Sequence, residues 1–358
     1  QRMERQQARQ ASESPSESPT VLTAASKSIS GDWPRWRGIR NDGVSTETGL
    51  LQRWDEAPSV TWSVRGLGRG YSSVAVANGR IYTMGKKGEV RLICLSADDG
   101  SIIWETQVGG GDNPNCTPTV DPDSNLVYGL THAGDFLCAD ASTGREVWRK
   151  NFSRDFGGRM MSSWGYSESP LIDGDRLIIT PGGDRAVMAA LNKRTGQLIW
   201  STPMQGASAG YASPVISNAG GIKQYVTLVG KGLIGVAADD GRPLWQYARI
   251  ANSTANVPTP IVKGNYVFGS SGYGDGGTAL LELQRQGRGA DSGSDDSSSL
   301  SKTNSREMGT WNTLREMRLE PQQLLRERRF HAAAVLLESL RDQEPLDFSL
   351  WVLLGNAY

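Results

Sequence analysis

The sequence has few of the residues from which many functional sites are built. Its 358 residues include only two histidines and three cysteines, and its 38 basic residues equal its 38 acidic residues in number. Three cysteines do not form a disulfide framework, and a balanced charge gives no electrostatic reason to expect nucleic acid or an anionic membrane as a partner. No apolar stretch approaches the ~20 residues that span a bilayer. The composition therefore favours neither a disulfide scaffold nor a transmembrane protein.

Glycine and tryptophan are abundant, with 43 and 11 residues, and they recur in a template. Four segments share it: CLSADDGSIIW (94–104), CADASTGREVW (138–148), ALNKRTGQLIW (190–200) and GVAADDGRPLW (235–245). The template glycines are 44, 52 and 45 residues apart. A period of this size, made of short strands and tight turns, is typical of a radial or stacked array. Cys94 and Cys138 share one template position, where we expect small buried strand residues.

The repeat that ends at Trp104 predicts four short antiparallel strands. We expect them at 71–77, 80–84, 90–95 and 101–105, with a two-residue hairpin turn at 78–79. Four such strands per repeat describe a blade of a β-propeller. We expect each template Trp to fill the wedge between neighbouring blades, and each template Gly to permit a positive-φ turn or a close approach to that ring. These structural positions are Gly100, Trp104, Gly144, Trp148, Gly196, Trp200, Gly241 and Trp245.

The texture of the sequence divides the chain into four parts. Residues 1–30 are polar and of low complexity, which is typical of a disordered leader, and residues 31–285 carry the repeats. Residues 286–310 are rich in Gly, Ser and Asp, as in a flexible linker. Residues 311–358 become helical in pattern, and WVLLGNAY (351–358) fits the W-x2-L-G-x2-Y signature of a tetratricopeptide repeat. We expect a truncated helical segment there.

The repeats resemble the PQQ-like (quinoprotein-like) β-propeller family, which includes the outer-membrane assembly lipoprotein BamB and the alcohol dehydrogenases that bind pyrroloquinoline quinone (PQQ). The closest match to the family template is ADASTGREVW (139–148). The opening GDWPRWRGIRNDGVS (31–45) and the stretch WGYSESPLIDGD (164–175) are similar to a secreted branch found in planctomycete-type bacteria. The resemblance implies a mainly β propeller of four-stranded blades in an extracytoplasmic protein.

The number of blades is smaller than the eight that the family implies. Four complete templates, a preceding fragment that ends at Trp62 and a unit that begins at Pro258 predict about five or six blades. An unclosed ring exposes sheet edges. Truncation or fusion of the gene product, closure by a partner and a smaller ring are three open explanations, of which we favour the first. No signal peptide follows Gln1, so we expect that one has been removed or that the sequence is a fragment.

The sequence predicts no catalytic residue and no metal site. The family's dehydrogenases hold PQQ with Ca²⁺ through an aromatic platform, carboxylates and adjacent cysteines, and this chain has no adjacent cysteines. His132 is expected in a solvated hairpin turn, and His331 on a helix. The best candidate surface is formed by the loops that precede the first strand of each blade, since these loops gather at one mouth of the channel. Its candidate binding residues are Trp164, Tyr166, Glu168, Tyr211 and Asn256.

Three hypotheses for function remain from the sequence, of which the third is a chimera or fragment with no independent function. The first is a non-enzymatic extracytoplasmic scaffold that binds protein partners through a propeller face and through the tetratricopeptide-like helices. The second is a PQQ-dependent dehydrogenase that acts on alcohols or sugars. Because the family contains both enzymes and scaffolds, the resemblance by itself does not separate them.

Overall fold

A computed structural model describes residues 20–23, 31–45, 47–51, 53, 57–284 and 314–317. A two-stranded sheet pairs β1 (Thr20–Thr23) with β2 (Trp62–Arg65), and five four-stranded antiparallel sheets follow. We call these sheets blades 1 to 5. Blade 1 contains β3 (Ala75–Ala77), β4 (Arg80–Lys87), β5 (Glu89–Ser96) and β6 (Ile102–Gly109), and blade 2 contains β7 (Thr119–Asp121), β8 (Leu126–Leu130), β9 (Asp135–Asp140) and β10 (Glu146–Asn151).

The remaining blades repeat this arrangement. Blade 3 contains β11 (Leu171–Asp173), β12 (Arg176–Ile179), β13 (Met188–Asn192) and β14 (Leu198–Thr202). Blade 4 contains β15 (Val215–Ser217), β16 (Gln224–Val229), β17 (Gly232–Ala237) and β18 (Pro243–Tyr247). Blade 5 contains β19 (Ile261–Lys263), β20 (Tyr266–Ser270), β21 (Thr278–Leu283) and β22 (Leu314–Met317).

Helices are short and lie between strands. The α-helix α1 (Phe152–Phe156) follows β10, and Asn151 caps it by accepting a hydrogen bond from the backbone of Arg154. Single 3₁₀ turns occupy Pro122–Ser124 and Ala219–Gly221. Within the described residues, no helix has both the length and the apolar character that crossing a membrane requires.

Each blade is built from successive hairpins, so the strand order in the sheet follows the order in the chain. The turn between β3 and β4 consists of Asn78 and Gly79, with φ of 52° and 68°. Two consecutive positive φ angles match the two-residue turn whose twist suits a β-hairpin. The predicted turn therefore lies where the sequence placed it.

The first strand of each blade lies toward the centre, and a segment near the N-terminus runs along two of these strands. The backbone of Trp33 exchanges two hydrogen bonds with Val76 in β3, of 2.8 and 2.9 Å, and the backbone of Val120 in β7 donates to Pro34 at 2.8 Å. The Arg37 guanidinium donates to the carbonyl of Pro260, just before β19, at 3.4 Å. We call residues 33–42 the central segment. It connects blades 1 and 2 with blade 5 across the middle of the array.

The template tryptophans join neighbouring sheets. The indole of Trp104 in blade 1 covers Gly144 in blade 2, so closely that a Cβ on this glycine would lie 2.6 Å from the ring. The same indole donates its N–H to the carbonyl of Ala141 at 3.1 Å. Ala141 lies three residues before the glycine. We call this combination of ring contact and N–H donation the indole latch.

The indole latch recurs at successive interfaces with the same spacing. Trp62 covers Gly100, Trp148 covers Gly196, and Trp200 covers Gly241. Their N–H groups donate to the carbonyls of Ala97, Lys193 and Ala238 at 3.0, 3.1 and 3.3 Å. In each pair the acceptor again lies three residues before the glycine, and all four template glycines have φ between 68° and 75°.

Trp245 is different from the other template tryptophans. Its indole donates to the side chain of Gln224 at 2.6 Å, within its own blade 4. Blade 5 instead meets blade 4 through apolar side chains of both sheets and through a buried polar cluster of Asn252, Asn256 and Ser271. The loop after β21, which carries the glycine in the other blades, lies outside the described residues.

The predicted fold class is confirmed: the chain is mainly β, with four-stranded antiparallel blades. Two strands lie in segments for which the sequence gives no strand signal. β1 falls inside 1–30, the predicted disordered leader, because its β-branched residues can pair with β2. β22 falls inside 311–358, the predicted helical segment, because the free edge of β21 offers backbone partners to an extended chain. The linker 286–310 and the rest of 1–30 and 311–358 are outside the described residues, apart from the strands named.

The three cysteines are free and buried, and for Cys94 and Cys138 this agrees with the expected small buried strand residues. Cys94 lies in β5 and Cys138 in β9. Burial raises the pKa of Cys94 to about 11 and that of Cys116 to about 12. Because the thiolate is the reactive form of cysteine, burial lowers the reactivity of these thiols.

The indole latch gives a prediction for the template glycines. We expect Gly144→Ala to lower the free energy of unfolding by roughly 1–3 kcal/mol more than Gly174→Ala, because it adds a clash with Trp104 to the backbone cost. Gly174 is the matched control, since it also has a positive φ, of 60°, but a Cβ there meets no atom within 4 Å. Urea unfolding followed by fluorescence measures both. Equal losses of stability in the two variants would contradict the latch.

Candidate functional site

The loops that lead into the first strands are extended, so alternate residues point to opposite sides. One set of equivalent positions carries a hydroxyl in every blade and faces a common cavity. We call it the inner ring: Ser73, Thr117, Ser169, Ser213 and Thr259. A proline follows four of these five residues, and this suits the start of a strand, where no ladder donor is needed.

The positions two residues earlier face the same cavity nearer to its opening. We call them the outer ring: Tyr71, Asn115, Ser167, Tyr211 and Val257. Of the residues between the two rings, only Pro258 lines the cavity, whereas Ser72, Cys116, Glu168 and Ala212 do not. The period of two thus repeats around the blades. The cavity is therefore built from the same two positions of each repeat.

The cavity has a volume of about 810 Å³, within the range of ~300–1,000 Å³ that is usual for ligand sites. The central segment contributes Trp36 and Arg37 to its wall, and the longer loops add Trp164 and His132. His132 follows β8 in a turn, as predicted, but its side chain is half-buried against Gly165. His331 lies outside the described residues.

Hydrogen bonds between blades fix both rings. The backbone N–H of Ser169 donates to the Ser213 hydroxyl at 2.9 Å, and that of Ser213 donates to the Thr259 hydroxyl at 3.3 Å. In the outer ring, the N–H of Tyr71 donates to the carbonyl of Pro114 at 2.8 Å, and Tyr211 donates to Asn256 at 2.9 Å. These bonds satisfy main-chain donors and leave side chains to line the cavity.

Trp164 is the most prominent side chain at the mouth. It is 48% exposed, although large apolar side chains are usually covered in a soluble protein. Its ring meets those of Tyr211 and Tyr273, with centroids 6.0 and 5.9 Å away. Its backbone carbonyl accepts a hydrogen bond from the Asn115 side chain at 3.1 Å. These contacts orient an exposed aromatic surface at the opening.

The structure places the five predicted binding residues in two different environments. Trp164 and Tyr211 line the cavity and touch each other. Tyr166, Glu168 and Asn256 are almost fully buried behind its wall, at 5%, 1% and 0% exposure. They belong to the alternate set of positions, which points away from the cavity. These three residues are therefore not part of the cavity lining, and their hydrogen bonds are with the surrounding protein.

Each buried residue is held by the surrounding backbone. The Tyr166 hydroxyl donates to the carbonyl of Pro181 at 2.9 Å. The Asn256 side chain donates to the carbonyl of Val229 at 2.9 Å and accepts from the backbone of Asn252 at 3.0 Å. The Glu168 carboxyl accepts from the backbone N–H of Thr180, at 2.7 and 3.0 Å from its two oxygens. These bonds fix the loops that position the rings.

Sequence reasoning missed most of the cavity lining, including Trp36, Tyr71 and the whole inner ring. The recurring Ser-Pro and Thr-Pro pairs were a usable signal, because they fix the register of equivalent positions from blade to blade. Combined with the period of two, that register selects Asn115, Ser167 and Val257 as equivalents of Tyr211. It does not select Tyr71, because Ser73 is followed by Val74 and not by proline. The sequence contains no comparable signal for Trp36, since its place depends on the path of the central segment.

The lining does not supply the donors of a PQQ and Ca²⁺ centre. Asp112 is the only carboxylate among the lining residues, and its side chain is largely exposed. Within the described part of the chain, no three His, Cys, Asp or Glu side chains lie together so that they could hold a metal ion. The cavity offers aromatic, amide and hydroxyl groups instead.

Burial changes the chemistry of Glu168. Removal of its carboxyl from water raises the pKa to about 8 from an ordinary value of 4.5, against the opposing effect of the Thr180 N–H. The folded protein therefore holds the carboxyl protonated at neutral pH. Folding takes up a proton between the two pKa values, so stability is greatest below about pH 4.5 with respect to this group and falls as the pH rises toward 8.

We expect Glu168→Gln to remove this dependence on pH. Relative to the variant, the free energy of unfolding of the unaltered protein falls by up to about 1.4 kcal/mol per pH unit between pH 4.5 and 8. Urea unfolding of both proteins across this range measures the difference. Parallel stability curves would show that the carboxyl is not held neutral.

Comparison with curated proteins gives relatives of one kind. The chain is 27% identical over 156 residues to the outer membrane protein assembly factor BamB of Salmonella typhimurium, covering 42% of this chain and 38% of the relative. It is 24% identical over 192 residues to the protein of the same name from Burkholderia pseudomallei, covering 52% and 44%. The chain thus spans about two-fifths of the length of these relatives.

Solved structures with similar folds include BamB from Moraxella catarrhalis, with a TM-score of 0.45 at 16% identity, covering 62% of this chain and 64% of that one. A quinohemoprotein alcohol dehydrogenase from Comamonas testosteroni has a TM-score of 0.47 at 15% identity, covering 70% and 46%. The family model described as outer membrane protein assembly factor BamB matches residues 47–123 and 115–304. The chain, a PQQ-like β-propeller in which neighbouring blades are joined by indole latches, therefore belongs to the BamB family.

Proposed function

We propose that this protein is a non-enzymatic, extracytoplasmic scaffold that binds a partner at the mouth of the cavity during the assembly of outer-membrane proteins. One observation carries the proposal: all five blades contribute equivalent positions to a single cavity with exposed aromatic residues at its opening. Exposed aromatic groups mark binding surfaces in soluble proteins. Membership of the BamB family supports the direction of the assignment.

The form of the cavity supports binding more than catalysis. Its rings are fixed by hydrogen bonds between blades, so the surface is preorganised and little ordering is needed when a ligand arrives. Trp36 is 43% exposed and Tyr71 is 76% exposed at the mouth. Aromatic residues of this kind carry much of the binding energy at protein interfaces. A second partner for the helical pattern in 311–358 remains a prediction from the sequence.

The proposal predicts where a partner can be cross-linked. We expect Tyr71→p-benzoylphenylalanine to give light-dependent adducts with an outer-membrane assembly protein when the chain is exported in a Gram-negative host. Leu198→p-benzoylphenylalanine is the control, because Leu198 is also exposed, at 54%, but lies on the outer strand β14. Mass spectrometry of the adducts identifies the partner. Equal adduct yields at both positions, or none at Tyr71, would contradict binding at the mouth.

The donors of the cavity also predict the result of a cofactor test. We expect no alcohol-dependent or sugar-dependent dye reduction after PQQ and Ca²⁺ are added to the purified chain, because Asp112 alone does not supply the carboxylate ligands that Ca²⁺ takes. Dye reduction and quinone absorbance measure this outcome. Turnover that requires both PQQ and Ca²⁺ would contradict the scaffold proposal and favour a dehydrogenase.

A further inference from the structure

We propose that the cavity binds a neutral saccharide, a short oligosaccharide or the end of a longer glycan. This inference goes beyond the proposed function, since it names a second class of ligand, distinct from the protein partner, for the same cavity. It is carried by the joint presence of aromatic surfaces and hydrogen-bonding groups without net charge in one open-mouthed cavity.

The aromatic side chains provide surfaces on which a sugar ring can stack. The face of an aromatic ring is electron-rich, and one face of a pyranose presents C–H groups that are weakly positive. Trp164 is nearly half exposed, and its contacts with Tyr211 and Tyr273 hold it in one orientation. Trp36 presents a second exposed indole from the central segment on the wall of the same cavity. The two indoles suit a ligand with several rings.

The polar lining matches the hydroxyl groups of a sugar. Where the oxygens of Ser213 and Thr259 accept backbone hydrogen bonds, the hydroxyl hydrogens remain for donation to a ligand. Amide side chains stand nearer to the opening, at Asn113 and Asn115. Hydroxyl and amide groups that both donate and accept are suited to ligand hydroxyls, which do the same.

The charges of the lining disfavour an ionic ligand. Arg37 and Asp112 contribute one positive and one negative charge. A quaternary ammonium ligand, which aromatic residues also attract, would meet the Arg37 guanidinium as well as the Asp112 carboxylate, so the two charges give it no net attraction. An anion would have to compete with the backbone carbonyls of Asp42 and Pro260, to which Arg37 donates. A neutral ligand meets neither obstacle.

The backbone disfavours an extended peptide as the ligand. A peptide that adds to a strand requires unpaired main-chain groups. The N–H groups of Ser169 and Ser213 are already paired with hydroxyls, and those of Tyr71 and Tyr211 with carbonyls. The cavity therefore recognises its ligand through side chains. Trp36 and Arg37 form part of its wall. Its volume of about 810 Å³ leaves room for several sugar rings.

A glycan array tests the assignment. The purified full chain is applied to printed neutral oligosaccharides with α- and β-linked hexose and N-acetylhexosamine units, beside a peptide array. We expect retention on at least one glycan class, with little change in about 1 M salt, because neither partner carries net charge. Trp164→Ala should weaken retention on the order of tenfold. Trp164→Phe, which keeps an aromatic face, should lose less, and Leu198→Ala should bind like the unaltered protein.

Thermal melting of each variant separates loss of binding from loss of fold. Three results would each overturn the saccharide assignment. They are retention on no glycan, retention on peptides alone, and equal binding by folded Trp164→Ala and the unaltered protein. If Tyr71 cross-links an assembly protein while no glycan is retained, the saccharide assignment fails and the scaffold stands. If a glycan is retained while Tyr71 cross-links no partner, the saccharide assignment stands and the scaffold fails.

Discussion

The structure depends on one contact between neighbouring blades, the packing of an indole over a glycine with donation of its N–H to a carbonyl three residues earlier. A blade of four short strands has two apolar faces and cannot bury them alone. The latch fixes how each sheet meets the next, because a Cβ on Gly144 or Gly196 would collide with the ring above it. The latch sets both the orientation of and the distance between neighbouring sheets, so the blades are arranged around a common centre.

A repeated interface places equivalent residues at equivalent heights around that centre. The inner and outer rings are consequences of this repetition, since each blade delivers one hydroxyl and one larger or polar group to the cavity. Function then arises from departures from the repeat. Trp164 lies on a loop that is longer than its equivalents, and Trp36 comes from the central segment, which belongs to no blade. The repeat determines the positions of the ring residues, and these two tryptophans give the opening its asymmetric aromatic surface.

Much of this could be predicted because the template is local. The spacing of Gly144 and Trp148 within one hairpin predicts the turn and the strand after it. The number of repeats along the chain predicts the number of sheets. The site was predicted less well. Choosing Tyr166 and Glu168 as cavity residues placed an extended loop out of register by one residue, which reverses every side chain. The sequence carries no local signal for β22, because its partner β21 is distant in sequence.

The indole of Trp245 donates within its own sheet, and this has a mechanical consequence. The contact of blade 5 with blade 4 relies on apolar packing and on the amide cluster of Asn252 and Asn256. A boundary with a different set of bonds has its own free energy of local opening. Because Val257 and Thr259 lie in the loop that leads into blade 5, local opening at this boundary would change the width of the cavity mouth.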